Sequence, residues 1–530
     1  MRLGHVALFG TGLLNLGFAL TARAVPLPLT TITSLASLAL LAGAVVMPVT
    51  CYLASWRASW RILFVVPVVF LVAGLALSAV SVMQSHSLDQ RVMRIGFIAM
   101  SGVRACDPEL LRLGLTLPGF VERSKTIASL PSLGLLTLAG MTPRRHERHY
   151  IDVDHVKDRT EWPEFDLVAI STFTAQAPEA YEVADRYRAR GATVVMGGLH
   201  VTALPDEALA HCDAAIVGEG EICWPEVLRD AESGRLKRLY RSQPREFSLA
   251  DAPMPAFELL DMERYNRITL QTTRGCPWRC TFCASSILLT PKYKIKPVDL
   301  VLAEVDRIRE LWRRPFLEFA DDNSFVNRAY WKALLPSLAR RRVKWFTETD
   351  VSVGEDDQLL SLMHDAGCVE VLIGLESPVS DGLANLELRR DWKLKTLPRH
   401  RQAIGAIQSH GIRVNGCFIL GIDGQGPDIF DRVYDYAHEL ELYDVQITLL
   451  TPFPGTPLYS TLLREGRMLE ERPWGRCTLF DLTFKPQPMS GEELVGGFRS
   501  LAARLYGDEA TNWRRENFNR KYLRQARRAG

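Results

Sequence analysis

The segment Thr272–Cys283, TTRGCPWRCTFC, decides how this chain is read. It holds Cys276, Cys280 and Cys283, three of only ten cysteines in 530 residues. Structural zinc takes four ligands, usually in Cys-x2–4-Cys pairs, and no second pair lies at a suitable distance here. The spacing Cys-x3-Cys-x2-Cys suits an iron–sulfur cluster, in which each cysteine holds one iron. Three protein ligands leave a fourth iron open, and an open position is what a catalytic metal site requires. The remaining cysteines, at 51, 106, 212, 223, 368, 417 and 477, are scattered. They form no disulfide framework and fit a reducing, cytosol-facing compartment.

Working outward, RITLQTT (267–273) reads as a strand that ends at the cysteine loop. Five further strands are expected at 315–323, 343–350, 369–377, 413–423 and 444–450, with amphipathic helices between them, such as 298–311 and 357–366. Six strand–helix units fall short of the closed eight-unit barrel, so 262–480 is expected to form a partial (β/α)6 barrel of TIM type. Polar groups gather at the strand ends: Asp321, Asp322 and Asn323; Glu348 and Asp350; Glu376 and Ser377; Asp423. Carboxylates at a barrel mouth point to function, although any single one could instead cap the following helix. Residues 481–530 form a helical extension with a basic end (512–530) interleaved with Trp513, Phe518, Tyr522 and Leu523. That end either meets anionic headgroups or packs on the barrel.

Upstream, 91–250 alternates strands (94–100, 149–156, 166–172, 193–198, 214–221) with helical stretches such as 132–141 and 177–190. This alternation predicts a Rossmann-like doubly wound parallel sheet, with ligands at the carboxyl ends of its strands. No Gly-x-Gly-x-x-Gly follows the first strand, so the dinucleotide fingerprint is absent. The long connection 102–143 reads as a lid or binding loop. At the start, Val25–Trp56 and Ile62–Ser85 carry no charge and exceed the roughly 20 residues needed to cross a bilayer. Residues 1–88 are therefore expected to be a membrane anchor, with a third, shorter run at Val6–Thr21. The arginine distribution slightly favours two spans over three. A net charge of +2 argues against a dedicated nucleic-acid binder. The fold class expected overall is α/β: transmembrane helices, the doubly wound sheet, the partial barrel and the helical extension.

Arg274-Gly275 before the cysteines, and Phe282 ahead of the third, complete a segment that resembles the radical S-adenosylmethionine superfamily. Gly197, Gly198, His200, Thr202, Pro205 and Glu207, together with the Gly218–Glu221 turn, resemble the cobalamin-binding domain fused to many of those enzymes. The resemblance implies a [4Fe–4S] cluster on Cys276, Cys280 and Cys283, its open iron chelating S-adenosyl-L-methionine and releasing a 5′-deoxyadenosyl radical. It implies S-adenosylmethionine contacts from Asp321, Asp322, Gly374, Glu376 and Ser377, with Ala-Asp-Asp standing where the family has Gly-Gly-Glu. It also implies cobalamin, lined by Thr174, Gly197, Gly198, His200, Thr202, Gly218, Glu219 and Gly220, with Ser171 and Thr172 nearby. The Asp-x-His-x-x-Gly motif is absent, so His200 is expected to line the pocket without ligating cobalt.

The group resembled is the class B methyltransferases, which implies methyl transfer to an unactivated carbon. The anchor suggests a hydrophobic or lipid-like substrate such as an isoprenoid, and catalytic domains on the cytoplasmic side of the membrane. Reduced ferredoxin or flavodoxin is the expected electron donor. The alternatives are a cobalamin-dependent cyclase like the anaerobic magnesium-protoporphyrin ester cyclase and a non-catalytic cobalamin or redox sensor.

Overall fold

The computed structural model describes residues 11, 13–20, 31–88, 92–100, 102–103, 105–112, 130–242, 247–289, 292–384 and 386–523. The chain divides into two compact units, residues 1–92 with 232–235 and the remainder.

The first unit is built on two apolar helices, Thr31–Trp56 and Val65–Leu88, joined by a 3-10 turn over Ala58–Phe64. Both are long and apolar enough to cross a membrane by length and composition, the qualifying stretches being Ile32–Trp56 and Ser59–Val80. Two glycines let them pack closely. A Cβ at Gly43 would come within 2.7 Å of the Leu71 side chain, and one at Gly74 within 2.8 Å of Leu40, which is the small-residue packing that membrane helices favour. Leu38, Val45, Trp56 and Ile62 stay exposed. The second helix continues past its apolar run to Leu88. The third apolar run is helical over residues 11 and 13–20; the rest of it, and residues 89–91, lie outside the described residues.

The second unit begins with a six-stranded parallel sheet: β1 Arg94–Met100, β2 Glu147–Val153, β3 Leu167–Ser171, β4 Thr193–Gly197, β5 Ala214–Val217 and β6 Leu239–Arg241. Their order is β2-β1-β3-β4-β5-β6. Successive side chains alternate between two cores, as a strand's period of two demands. Ile98, Val168 and Met196 join helix Ala177–Ala189 on one face, while Phe97, Leu167 and Val195 join Leu135 and Trp224 on the other. Winding reverses between β1 and β3, the place where such sheets bind ligands. Strand β6 was too short to read from the sequence. The expected fifth strand stops at Val217, because Gly218 takes a positive φ of 88° and Gly220 opens a helix that runs to Glu232.

Next come β7 Ile268–Leu270, then a small antiparallel ribbon of β8 Thr273–Arg274 and β9 Lys294–Ile295. The open barrel continues with β10 Phe316–Phe319, β11 Lys344–Thr349, β12 Cys368–Glu376, β13 Arg413–Leu420 and β14 Asp444–Leu449. Six parallel strands pair in the order β14-β13-β12-β11-β10-β7, each beside its neighbour in sequence. Helix Gly491–Tyr506 starts at a capping box formed by Ser490 and Glu493. Of the two readings of the basic end, packing on the barrel is the one observed. Trp513 stacks on His438 at 3.9 Å, Phe518 meets Tyr443 at 5.2 Å, and Tyr522 is buried and bonded to Glu441. Residues 524–530 lie outside the described residues.

Candidate active site

A cavity of about 950 Å³ lies where the carboxyl ends of the doubly wound sheet face those of the barrel. This sits at the upper end of the range for small-molecule sites. On the sheet side it is walled by the loops after β1 (Gly102, Val103), β3 (Ser171, Thr172, Phe173), β4 (Gly197, Gly198) and β5 (Gly218 to Glu221). On the barrel side stand Cys276, Cys280, Cys283, Asp322, Glu348, Gly374 and Glu376.

The cysteine loop is held from beneath by two aspartates at the end of β10. Asp321 is buried and accepts the backbone N–H groups of Thr272 at 2.8 Å and Thr273 at 2.9 Å, besides the hydroxyls of Thr272 and Ser324. It does not line the cavity. Asp322 does, and it accepts the Gly275 N–H at 2.7 Å and the Ser285 hydroxyl. The Asn323 amide lies 3.9 Å from the Cys276 sulfur and 2.9 Å from Asp350, which also accepts the Trp278 indole N–H. Burial pushes the Cys276 thiol up to about 11 and the Cys280 thiol to about 12, so loading any metal must displace protons. Among the described residues no three His, Cys, Asp or Glu side chains converge on a single ion. Zinc would need such convergence, whereas a cluster meets each cysteine at a separate iron. Three soft thiolate donors opening on one cavity therefore fit a cluster better than one ion.

At the end of β12 the pairing to β13 slips between Gly374 and Glu376, and Glu376 takes a positive φ of 62°. Backbone of this kind is costly and clusters at functional sites. The Glu376 carboxylate pairs with Lys393 at 2.8 Å, and the same ammonium donates to the Gly374 carbonyl at 2.6 Å. Burial would lower the Lys393 pKa, but Glu376 outweighs it and the net shift is upward. A Cβ at Gly374 would fall 2.4 Å from the Glu376 carboxylate. Ser377 is buried off the cavity and bonds Gln425 at 3.4 Å. Deeper in the barrel, Glu318 pairs with Arg267 at 2.5 Å. Glu348 extends into free cavity space although it lies deep in the molecule. Burial first, then the charges of Glu318, Asp322 and Asp321, push its pKa up to about 8.

Glycines shape the sheet side. Gly198 has φ 102°, and a Cβ there would sit 2.7 Å from the Thr172 carbonyl. Glu219 and Glu221 do not stand free. Arg274, from the cysteine loop, donates to both at 2.7 Å, and Lys294 reaches Glu219 at 2.6 Å. Burial would raise the Glu221 pKa, but Arg274 overrides it and holds the carboxyl below its usual value. This clamp fastens the Gly218–Glu221 turn to the barrel. Three residues expected at the cofactor face elsewhere. His200 is fully buried, with Nε2 3.1 Å from the Tyr181 hydroxyl and 3.2 Å from Glu207; burial lowers its pKa against the opposing pull of Glu207. The Thr202 hydroxyl accepts the Gly218 N–H at 3.1 Å and so shapes the turn from behind. Thr174 is buried in the turn after β3, and its neighbours Phe173 and Gln176 line the cavity instead. Reading the sequence did not find Arg267, Trp278, Lys296, Glu318 or Lys393 in this wall. Their positions depend on tertiary packing, and of these five only Trp278 lies within the cysteine motif.

A doubly wound sheet facing an open six-stranded barrel, with three thiols between them, is the frame of an enzyme that brings two cofactors together. Comparison with known proteins agrees. The model of the radical SAM superfamily matches residues 270–437, and that of the B12 binding domain matches residues 126–228. The bacteriochlorophyllide d C-12(1)-methyltransferase of Chlorobaculum tepidum is 29% identical over 373 residues, 68% of this chain and 80% of that protein. The hopanoid C-2 methylase of Rhodopseudomonas palustris is 25% identical over 395 residues, 72% of each chain. The anaerobic magnesium-protoporphyrin IX monomethyl ester cyclase of Cereibacter sphaeroides is 24% identical over 434 residues, 74% of this chain and 69% of that one. The fold matches the radical S-adenosylmethionine methyltransferase TsrM from Kitasatospora setae, solved with cobalamin and a [4Fe–4S] cluster. That match has a TM-score of 0.58 at 16% identity and covers 82% of this chain and all of that one. The chain is an enzyme with a B12 binding domain and a radical S-adenosylmethionine domain, and its homologues are cobalamin-dependent radical S-adenosylmethionine methyltransferases, with cyclases among its relatives. Its cofactors are a [4Fe–4S] cluster, S-adenosylmethionine and cobalamin, and the sensor reading gives way to an enzyme.

Proposed function

We propose that this enzyme transfers a methyl group to an unactivated carbon of a hydrophobic, lipid-like substrate presented at a membrane. Cys276, Cys280 and Cys283 hold the cluster. Gly374, Glu376 and Asp322 face S-adenosylmethionine, while Ser171, Thr172, Gly197, Gly198 and Gly218 to Gly220 cradle cobalamin. Held there, the cluster with S-adenosylmethionine would supply radical chemistry, and cobalamin would supply a methyl carrier. The protein's own work is to orient and to exclude water. Asp321 and Asp322 fix the cysteine loop, and Arg274 draws the sheet domain against the barrel. Lys393 holds Glu376, and apolar residues such as Phe453 and Leu450 close the wall.

The single observation that carries the reading is the cavity shared by the cysteine loop and the glycine-walled ends of β4 and β5. Support for a membrane-borne substrate comes from the two apolar helices with their exposed large side chains, because soluble proteins seldom expose so much contiguous apolar surface. The names of two relatives, a hopanoid methylase and a bacteriochlorophyllide methyltransferase, point to large apolar molecules. A soluble electron-transfer protein of the ferredoxin or flavodoxin type supplies the electron.

The test is full-length protein in proteoliposomes with host lipid extract, a reductant and methyl-labelled S-adenosylmethionine under anaerobic conditions. Label in an extracted lipid, together with 5′-deoxyadenosine, is the expected result. Formation of 5′-deoxyadenosine with a new lipid product that carries no label would reject methyl transfer and favour the cyclase-like reading, which the cyclase relatives support.

A further inference from the structure

Over the middle cysteine lies a surface that the cavity does not use. Segment 386–390 runs antiparallel to 279–281: Cys280 bridges to Glu387, Thr281 N–H donates to the Leu386 carbonyl, and Leu388 N–H to that of Arg279, both at 2.9 Å. The buried Glu387 carboxylate accepts the backbone N–H groups of Arg279, Arg389 and Arg390 at 3.1, 3.1 and 2.7 Å. This bonding shapes the backbone and leaves the arginine side chains outside. Arg389, Arg390 and, just beyond, Lys395 are exposed, and Arg279 is half-buried. None of these four cations has an ion-pair partner among the described residues, in contrast to Arg399, which pairs with Glu355, and Arg401, which pairs with Glu439. Asp391 is the single acid between Leu388 and Lys395. Next to the patch, Trp392 stacks on Trp278 of the cysteine loop with centroids 4.2 Å apart and rings 10° from parallel.

Four uncompensated positive charges are of no benefit to the fold. They attract an anionic partner and raise its rate of encounter. Arg389 and Arg390 lie on the segment hydrogen-bonded to the backbone of Cys280 and its neighbours, and Arg279 is the residue next to Cys280, so a partner seated here has a short route to the thiolates. The cavity side of the same loop is taken by the cofactors. We propose that this basic face, built on Arg389, Arg390, Lys395 and Arg279, docks a small acidic one-electron carrier protein that reduces the cluster. The inference rests on the reading that Cys276, Cys280 and Cys283 hold a [4Fe–4S] cluster. In the step the carrier is oxidised by one electron, a flavin hydroquinone to its semiquinone for example, and the cluster is reduced by one. No bond in the protein forms or breaks.

The test compares the reconstituted full-length protein with its Arg389→Glu/Arg390→Glu/Lys395→Glu variant, using flavodoxin hydroquinone and, separately, dithionite as reductants. Bleaching of the cluster absorbance is followed by stopped flow, and affinity for oxidised flavodoxin is measured by calorimetry. At low salt the variant should lose about tenfold or more in both flavodoxin rate and affinity. Added salt should slow the wild type towards the variant, and dithionite should bleach both alike. Unchanged flavodoxin rate and affinity would overturn the proposal. So would an equal loss with dithionite, which would mean a damaged cluster, or a loss confined to binding of anionic vesicles, which would assign the face to lipid. If neither reductant bleaches the wild type while flavodoxin affinity still follows the charge reversal, the cluster reading fails and the docking face survives.

Discussion

At the scale of single residues, chemistry and scaffold are separable. The three cysteines face the cavity, and replacing Cys276, Cys280 or Cys283 by alanine should abolish 5′-deoxyadenosine formation, assayed anaerobically by chromatography, with little change in far-ultraviolet circular dichroism. Asp321 is different, because its carboxylate satisfies two backbone N–H groups and two hydroxyls in a buried place. Asp321→Ala should cost about 2–4 kcal/mol, since stranded buried donors are expensive, and denaturant titration of the apoprotein would show it. Glu370, in β12, makes a pH-dependent contribution. Its carboxyl group is buried, and burial, then Asp444, push its pKa to about 8. Between the ordinary carboxyl value of about 4.3 and that value, the folded chain keeps a proton that the unfolded chain has shed. Rising pH therefore lowers stability across this window. Glu370→Gln should melt close to wild type near pH 5 and increasingly above it towards pH 8, as a set of thermal melts would show.

At the scale of elements, the placing of loops against strand ends explains both what the sequence disclosed and what it hid. Strands β1, β3 and β4 and the five longer barrel strands were legible as apolar runs bounded by glycine or acidic residues. Covalent neighbourhood made the cysteine loop and the Gly197–Gly198 and Gly218–Gly220 turns legible too. Short elements such as β6 and the β8–β9 ribbon carry too few residues for a periodicity. His200 and Thr202 belong to a recognisable motif, but the motif marks how the turn is built as much as what it binds: Thr202 accepts the Gly218 N–H from behind, and His200 bonds the side chains of Tyr181 and Glu207. Glu219 reads as a cofactor contact and Glu221 as the end of its turn, yet their partner Arg274 comes from another domain, and no spacing in the sequence records that pairing. Arg274→Ala would leave Glu221 buried without its cation, a loss worth about 3–5 kcal/mol for pairs of this kind. The variant should release cobalamin on gel filtration under conditions where wild type keeps it.

At the scale of the whole molecule, among the described residues the sheet, barrel and cavity of the second unit use none before Met93. Deleting residues 1–88 should leave a protein that forms 5′-deoxyadenosine at close to the full-length rate with a small-molecule reductant. The same protein should fail to float with liposomes and should methylate membrane-embedded lipid poorly. The most direct check of the central claim, that one cavity joins a three-cysteine cluster to a cobalamin site, is a metal and sulfide inventory of anaerobically reconstituted protein beside its Cys276→Ala/Cys280→Ala/Cys283→Ala variant. About four iron, four sulfide and one cobalt per wild-type chain are predicted, the composition of one cubane and one corrinoid, and the variant should lose the iron and sulfide while keeping the cobalt. Zinc in place of iron, iron retained by the variant, or no cobalt in either protein would contradict the account.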